Sequence, residues 1–216
     1  TRYAINGLHL AAHGNHVSMV GTDGHRLARA AGILPAKAAD DVTCIVPAKA
    51  VSLVERLSTD PDTLVNVLVT DSQIAFETAT TVLLANLVEG NFPSYEAVIP
   101  KDGSTKVKAD RVKLLSAIRR AALMTSKESN SVKLTIGYNR MTVEARVPEQ
   151  GEATVELPVE TEGESLEISF NPEYLTDPLR VLAQDEIALE FKGPTTAALL
   201  RSGPDFLYVL MPVTSS

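Results

Sequence analysis

Residues 105–147 read TKVKADRVKLLSAIRRAALM, then TSKESN, then SVKLTIGYNRMTVEARV, and this stretch decides the fold. A short run, TKVKAD, leads into a segment in which Val112, Leu115, Ile118 and Ala122 recur at helical spacing. Beyond the polar TSKESN loop, Val132, Leu134 and Ile136 alternate with polar residues, the period-two pattern of a strand with one buried face. After a polar turn a second alternating run follows, and EATVELPVE (152–160) continues it. The unit is a short strand, an amphipathic helix, and two strands joined by a turn.

The same grammar occurs twice more. Upstream it is CIVPAKAVSLVERLS (44–58), TLVNVLVTDSQIAFETA (63–79) and TTVLLANLV (80–88), with Val51, Leu53, Val54 and Leu57 on the helix and Val65, Val67 and Val69 on the strand. Downstream it is LEISFNPEYLTDPLRVLAQ (166–184), EIALEFKGPTTAALLRS (186–202) and DFLYVLMPV (205–213). Matching Val51, Val112 and Tyr174 gives spacings of 61 and 62 residues. A repeat of that length is one supersecondary unit that stacks on its copies to bury a shared core. The predicted class is α+β.

The opening stretch, AINGLHLAAHGNHVSMVGTDGHRLARAAG (4–32), reads as the strand part of a further copy without its helix. Gly14-Asn15 supplies a tight hairpin turn between LHLAA and HVSMV. A strand pair lacking its covering helix exposes an apolar face, so the expectation is a chain that starts inside a domain of a longer protein.

Composition narrows the function classes. At 216 residues, with 44% hydrophobic and 22% charged residues, the chain is that of an ordinary globular protein. No run approaches the ~18 apolar residues of a membrane span, and the expected setting is cytoplasmic, with no membrane partner. A single cysteine, Cys44, excludes an internal disulfide framework and a cysteine-based zinc site. The net charge of −7 speaks against nucleic acid at first sight, but the signs are segregated. Residues 101–127 hold eight bases and two acids, whereas 149–190 hold twelve acids and one base. A surface that attracts polyanion beside one that repels it fits that division, as do two solvated faces.

Catalytic motifs are thin. In Thr22-Asp23-Gly24-His25-Arg26, Asp23 and His25 have the residue types for acid–base work. No nucleophile elbow or motif-placed second carboxylate accompanies them, and a glycine-containing turn explains the same string. His9, His13 and His16 lack a carboxylate or cysteine to complete a metal site. There is no phosphate-binding loop or dinucleotide fingerprint. The expectation is therefore no catalytic residues, no metal and no cofactor, with a hydrolase using Asp23 and His25 as the alternative. The basic helix from Asp110 to Met124 carries more. Lys113, Ala117 and Arg120 are read as one face, away from Val112, Leu115 and Ala122, and Lys49 opens the equivalent upstream helix. Such cations track a phosphate backbone without reading bases.

Four strings in order, GTDGHRLA (21–28), EGNFPSYEAVIP (89–100), SFNPEYL (169–175) and YVLMPV (208–213), strongly resemble the bacterial sliding clamp family, the beta subunit of DNA polymerase III. The resemblance runs from Arg2 to Val213. It implies the DNA-clamp fold, with helices on the inner face of a ring and sheets outside, three domains per subunit and a head-to-tail homodimer in the full-length protein. Residues 1–103 would be most of the middle domain and 104–216 the whole last domain. The implied function is a non-enzymatic processivity factor that encircles double-stranded DNA without sequence preference. It would tether the replicative polymerase, the clamp loader and repair proteins through short peptide motifs.

Family sites carry over by position. The resemblance places the partner-peptide pocket between the domains, at Ile5, Thr22, Gly24, His25, Arg26, Leu27, Pro93 and Val98 together with Asn171, Tyr174, Val209, Leu210, Met211, Pro212 and Val213. It makes Arg2, Tyr3, Lys49, Lys113 and Arg120 DNA-facing and puts Leu123 and Met124 at the subunit interface. Several positions depart from the family pattern. Ala97 replaces an arginine, Ala48 stands in the usual Pro-Arg-Lys, and Ala4 replaces a second tyrosine beside Tyr3. Thr214-Ser215-Ser216 stand where relatives often finish with a basic and an apolar residue.

Overall fold

The computed structural model describes residues 5–58, 60, 62–126 and 130–213. The chain divides into two compact units. The first comprises Thr1–Asp23 and Arg29–Ser94, and the second comprises Gly24–Ala28 and Tyr95–Ser216.

The first unit contains β1 (Gly7–His13), β2 (His16–Thr22), β3 (Arg26–Ile33, whose first residues count with the second unit) and β4 (Val42–Pro47). Helix α1 (Ala48–Leu57) and strands β5 (Asn66–Val69), β6 (Gln73–Glu77) and β7 (Val82–Asn86) complete it. The strands run in the orders β3-β2-β1-β4 and β5-β6-β7. Gly14 takes φ +60°, the left-handed value that the β1–β2 turn requires, and His13 pairs with His16 across it. Leu10, Val46, Ala50 and Ile74 form the core of this unit.

The second unit contains β8 (Thr105–Asp110), α2 (Arg111–Ala122), β9 (Val132–Gly137), β10 (Arg140–Val147), β11 (Gly151–Pro158) and β12 (Glu160–Glu162). The remaining elements are β13 (Leu166–Phe170), α3 (Pro172–Val181), β14 (Glu186–Phe191), β15 (Ala198–Ser202) and β16 (Phe206–Leu210). Two sheets result, ordered β12-β8-β14-β15-β16 and β11-β10-β9-β13. Each takes the three-strand meander of one copy and borrows the opening strand of the other. The α2 and α3 helices pack on one another, and their apolar faces join inward residues of both sheets in one core. The alternation read from the sequence holds here, with Val132, Leu134 and Ile136 at 0%, 0% and 1% exposure.

Local chemistry explains where the helices begin. The Asp110 carboxylate accepts from the Lys113 backbone N–H at 2.8 Å, and the Asn171 side-chain oxygen accepts from Glu173 N–H at 2.9 Å. Pro172 follows Asn171 at the first helical position, where its missing N–H costs nothing. Pro47 precedes α1 without any side-chain cap. These starts, at 47, 110 and 171, lie 63 and 61 residues apart, so the sequence match was off by one or two positions.

Two expectations need correcting. In α2 the buried face is Leu114, Ala117, Ile118 and Ala121, whereas Val112 is 55% exposed on the opposite side. Ala117 therefore belongs to the core and not to the cationic face. The adjacent apolar residues Leu114 and Leu115 allowed two helical stripes, and the packing chose the one through Leu114. In β5 the expected buried alternation is absent: Val65 precedes the strand, and Val67 and Leu68 are both exposed.

Candidate partner-binding site

Tyr174 is the centre of a cluster within the second unit. It sits in the first turn of α3, which Asn171 and Pro172 fix in place. The Arg26 guanidinium lies 4.5 Å from the centre of the Tyr174 ring, and the His25 ring stacks beside it at 6.3 Å between centroids. Arg26 Nη1 donates to Asp177 Oδ2 at 2.6 Å, and Arg180 Nη1 reaches the other oxygen of the same carboxylate at 3.2 Å. A cation held on an aromatic face by a carboxylate one turn along the helix has few alternative rotamers. The pair thus fixes the tyrosine, which is half-buried.

Backbone bonds bring the chain end to this cluster. Met211 N–H donates to the His25 carbonyl at 2.9 Å, and Val213 N–H donates to the Ser169 carbonyl at 2.8 Å. The segment after β16 is therefore pinned between the 24–28 stretch and β13. Along it the side chains divide by role. Val209 and Leu210 are buried at 4% and 1%, as is Leu27 at 4%, whereas Met211 is 47% and Val213 41% exposed. Pro212 is half-buried, and Gly24 adopts φ +90°, the left-handed region that favours glycine. Val98, in a single 3₁₀ turn (Glu96–Val98), is 55% exposed.

The structure thus brings His25, Arg26, Tyr174 and Met211 together and makes Leu27, Val209 and Leu210 their support. Asn171 spends its side-chain oxygen on the helix cap. Ile5, Thr22 and Pro93 belong to the first unit, each half-buried there. Sequence reasoning did not single out Asp177, Arg180, Ser169 or Tyr208. One signal was available, the proline inside a helical pattern at Pro178. Proline has no N–H, so the Tyr174 carbonyl one turn earlier loses its usual intrahelical donor. The Tyr208 hydroxyl donates to that carbonyl at 2.9 Å.

The cations assigned to DNA lie on helices. Lys49 is exposed in the first turn of α1, and Lys113 and Arg120 are exposed seven residues apart on one side of α2. Lys113 Nζ is 4.0 Å from the Asp110 carboxylate, a loose surface contact. Arg2 and Tyr3 lie outside the described residues. At the end of α2, Leu123 is 81% exposed, while Met124 packs against the core.

The remaining titratable candidates have structural contacts. His13 Nδ1 lies 3.4 Å from Asp41, whose pKa is lowered first by the Gly14 backbone N–H and then by His13. His9 packs against Phe92, with ring centroids 5.2 Å apart. Among the described residues no group of three or more His, Cys, Asp or Glu is placed to hold a metal ion. Among the same residues, no helix is long and apolar enough to cross a membrane.

Comparison with known proteins now assigns the fold. The family model for the DNA polymerase III beta subunit, C-terminal domain, matches residues 96–214, and the model for its central domain matches residues 1–94. The Beta sliding clamp of Pseudomonas putida is 36% identical over 214 residues, and that of Caulobacter vibrioides is 34% identical over 219. These matches cover 98% and 99% of this chain. The crystal structure of the DNA polymerase III subunit beta from Pseudomonas aeruginosa superimposes with a TM-score of 0.92 at 33% identity, covering 100% of this chain and 60% of that one. A Thermotoga maritima beta subunit structure gives 0.89 at 28% identity, covering 98% and 58%.

A repeated helix-plus-antiparallel-sheet protein of this geometry has the clamp fold. The chain belongs to the DNA polymerase III beta subunit family. It spans 58% of the length of the Pseudomonas putida relative and 59% of the Caulobacter one. These relatives lend no support to a hydrolase built on Asp23 and His25.

Proposed function

We propose that this chain is the middle and last domains of a DNA sliding clamp, a processivity factor with no catalytic site of its own. The first unit corresponds to the middle domain and the second to the last domain. In the longer protein two subunits would close head to tail around duplex DNA, with the Leu123–Met124 corner at the junction. Lys49, Lys113 and Arg120, with Arg2 and Tyr3, would face the phosphates by charge alone. A ring holds DNA topologically, so those contacts need only be weak, and weak contacts permit sliding.

The observation that carries the reading is the cluster around Tyr174, on a chain of this family. Exposed Met211, Val213 and Val98 offer apolar contact to the tail of a partner such as the replicative polymerase, the clamp loader or a repair protein. His25, Arg26 and Tyr174 offer polar and aromatic contact to the same tail. A few anchors of this kind carry most of the energy of a peptide interface. The test is titration of a fluorescent peptide carrying a replicative polymerase's clamp-binding tail into the parent chain and Met211→Ala. Loss of a hot-spot wall should weaken binding by about 2 kcal/mol. Equal affinity for both proteins, with folding intact by circular dichroism, would overturn the assignment.

A further inference from the structure

The proposed DNA contacts draw Lys113 and Arg120 from the basic run 101–127 and leave Lys101, Lys106 and Lys108 without a role. Strand β8 decides where the last two go. Thr105, Val107 and Ala109 are buried, so alternation sends Lys106 and Lys108 to the solvent face of the sheet. Lys108 reaches Glu160 of β12 loosely, at 3.9 Å. Lys106 stands opposite Glu190 of β14 in the register. The Glu190 side chain is 22% exposed and accepts from Arg201 Nε of β15 at 3.0 Å.

A wall stands beside this row. After Val98 the chain runs through residues 99–103 before it enters β8. Asp102 takes φ +59°, and a Cβ at Gly103 would lie 3.1 Å from the Glu190 Cβ and 3.2 Å from the Phe191 backbone nitrogen. The segment therefore sits directly on β14. It and the sheet enclose a cleft of about 560 Å³, in which Lys101, Lys106 and Arg201 face two carboxylates, Asp102 and Glu190. Glu190 is engaged by Arg201, and among the described residues no carboxylate lies within 4.0 Å of the Lys101 or Lys106 ammonium. The Glu190 contact uses Arg201 Nε, and a guanidinium has four further N–H donors.

We infer that this cleft receives a carboxylate flanking the apolar anchor of a partner's tail, an assignment that rests on the peptide-binding reading proposed above. Lys101 and Lys106 supply the charge, and Arg201, held by Glu190, supplies directed donors. Chain order supports the link, since Ile99 lines the cleft and directly follows Val98, one of the exposed apolar contacts offered to the tail. Three extended residues span about 10 Å, so an acidic residue shortly before or after the anchor comes within reach of a cleft that begins at Ile99. A run of nucleic-acid phosphates suits the cleft less well. Asp102 and Glu190 stand among the cations and would repel a continuous polyanion, whereas a single carboxylate can settle on the lysines.

The test uses the fluorescent polymerase-tail peptide in three forms: with Asp-Glu-Asp before it, with Asp-Glu-Asp after it, and with Gly-Ser-Gly at both ends. At low salt one acidic form should bind the parent chain about threefold or more tighter than the neutral form, the effect of one or two exposed ion pairs. The double variant Lys101→Gln, Lys106→Gln leaves the Arg201–Glu190 pair intact. In it the gain should disappear while the neutral form binds as it does to the parent. Glu190→Gln removes a competing carboxylate and should enlarge the gain, a sign that damage to folding would not produce. No gain with either acidic form, a gain that survives the double variant, or one that Glu190→Gln diminishes overturns the inference. So does a single-stranded oligonucleotide whose binding falls further in the double variant than that of the acidic peptide, because the ligand would then be phosphate. Failure of the underlying reading looks different: the neutral form would bind the parent no better than it binds Met211→Ala.

Discussion

Pro178 and Tyr208 should behave as one device, and a double-mutant cycle can measure it. The proline interrupts α3 between Tyr174 and Arg180, so the Tyr174 carbonyl has no amide donor at the usual position. Tyr208 is 5% exposed, and its hydroxyl supplies the hydrogen bond from the neighbouring strand β16. Removing that hydroxyl as Tyr208→Phe should leave a poorly solvated carbonyl and cost about 1–3 kcal/mol, the penalty of an unsatisfied buried acceptor. Pro178→Ala restores an amide in the helix. In that background the carbonyl keeps a donor, so the same Tyr208→Phe change should cost only about 0.5 kcal/mol, an ordinary net hydrogen bond.

The predicted coupling is therefore about 1 kcal/mol or more, above the few tenths expected of independent sites. Urea unfolding followed by tyrosine fluorescence is suited to it. The chain has no tryptophan, and four of its five tyrosines (Tyr95, Tyr138, Tyr174 and Tyr208) belong to the second unit. Additive effects of the two substitutions would refute the compensation, whatever their individual sizes. A loss of stability from Tyr208→Phe that is the same with and without Pro178→Ala is that refuting result.

Further outcomes follow from the same structure. Peptide affinity should fall in Met211→Ala as stated above, and the Arg26→Lys variant should weaken it as well, since an ammonium cannot both cover Tyr174 and hold Asp177 as a planar guanidinium does. Duplex DNA should bind weakly, with a log–log salt slope of roughly −3 for about three neutralised phosphates; binding that is indifferent to salt but follows base sequence would contradict the proposed role of Lys49, Lys113 and Arg120. Burial pushes the Cys44 thiol above its ordinary value of 9.0. Its reaction with iodoacetamide at pH 8 should therefore lag that of a free cysteine and catch up on unfolding, and equal rates in the folded protein would refute the burial argument.

The sequence was legible wherever two independent signals agreed. Alternation and the repeat agree in β9 and β10, where Val132 and Val143 face the core and, in the structure, Lys133 Nζ reaches Glu144 at 2.8 Å on the outward face. In the structure Asp110 and Asn171 mark helix starts, since a short polar acceptor placed before a helical run has one favourable use there. The repeat was visible for the same reason, since each copy restates both periods. Failure came where only one signal was present. The β5 run looks like a buried strand from hydrophobicity alone, but whether Val67 is covered depends on a neighbouring strand, which local alternation cannot report. In α2 the choice between stripes was made by the sheets beneath.

The site was less legible than the fold because its chemistry is assembled from three separate segments. The 24–28 stretch, the start of α3 and the residues after β16 meet through main-chain bonds such as Met211 N–H to the His25 carbonyl, and such bonds leave no mark on residue type. The resemblance to a family points to this neighbourhood, but it gives every residue there the same standing. Packing separates them: Leu27, Val209 and Leu210 are sealed in the interior, while Met211 and Val213 present apolar surface to solvent. Asp177 carries no motif, yet it is the residue that Arg26 and Arg180 both hold. Substituting it should release the guanidinium from the Tyr174 ring. The Arg26–Asp177–Tyr174 arrangement is thus a property of the folded unit, and the position of Pro178, which calls Tyr208 to the same helix, was its one trace in the sequence.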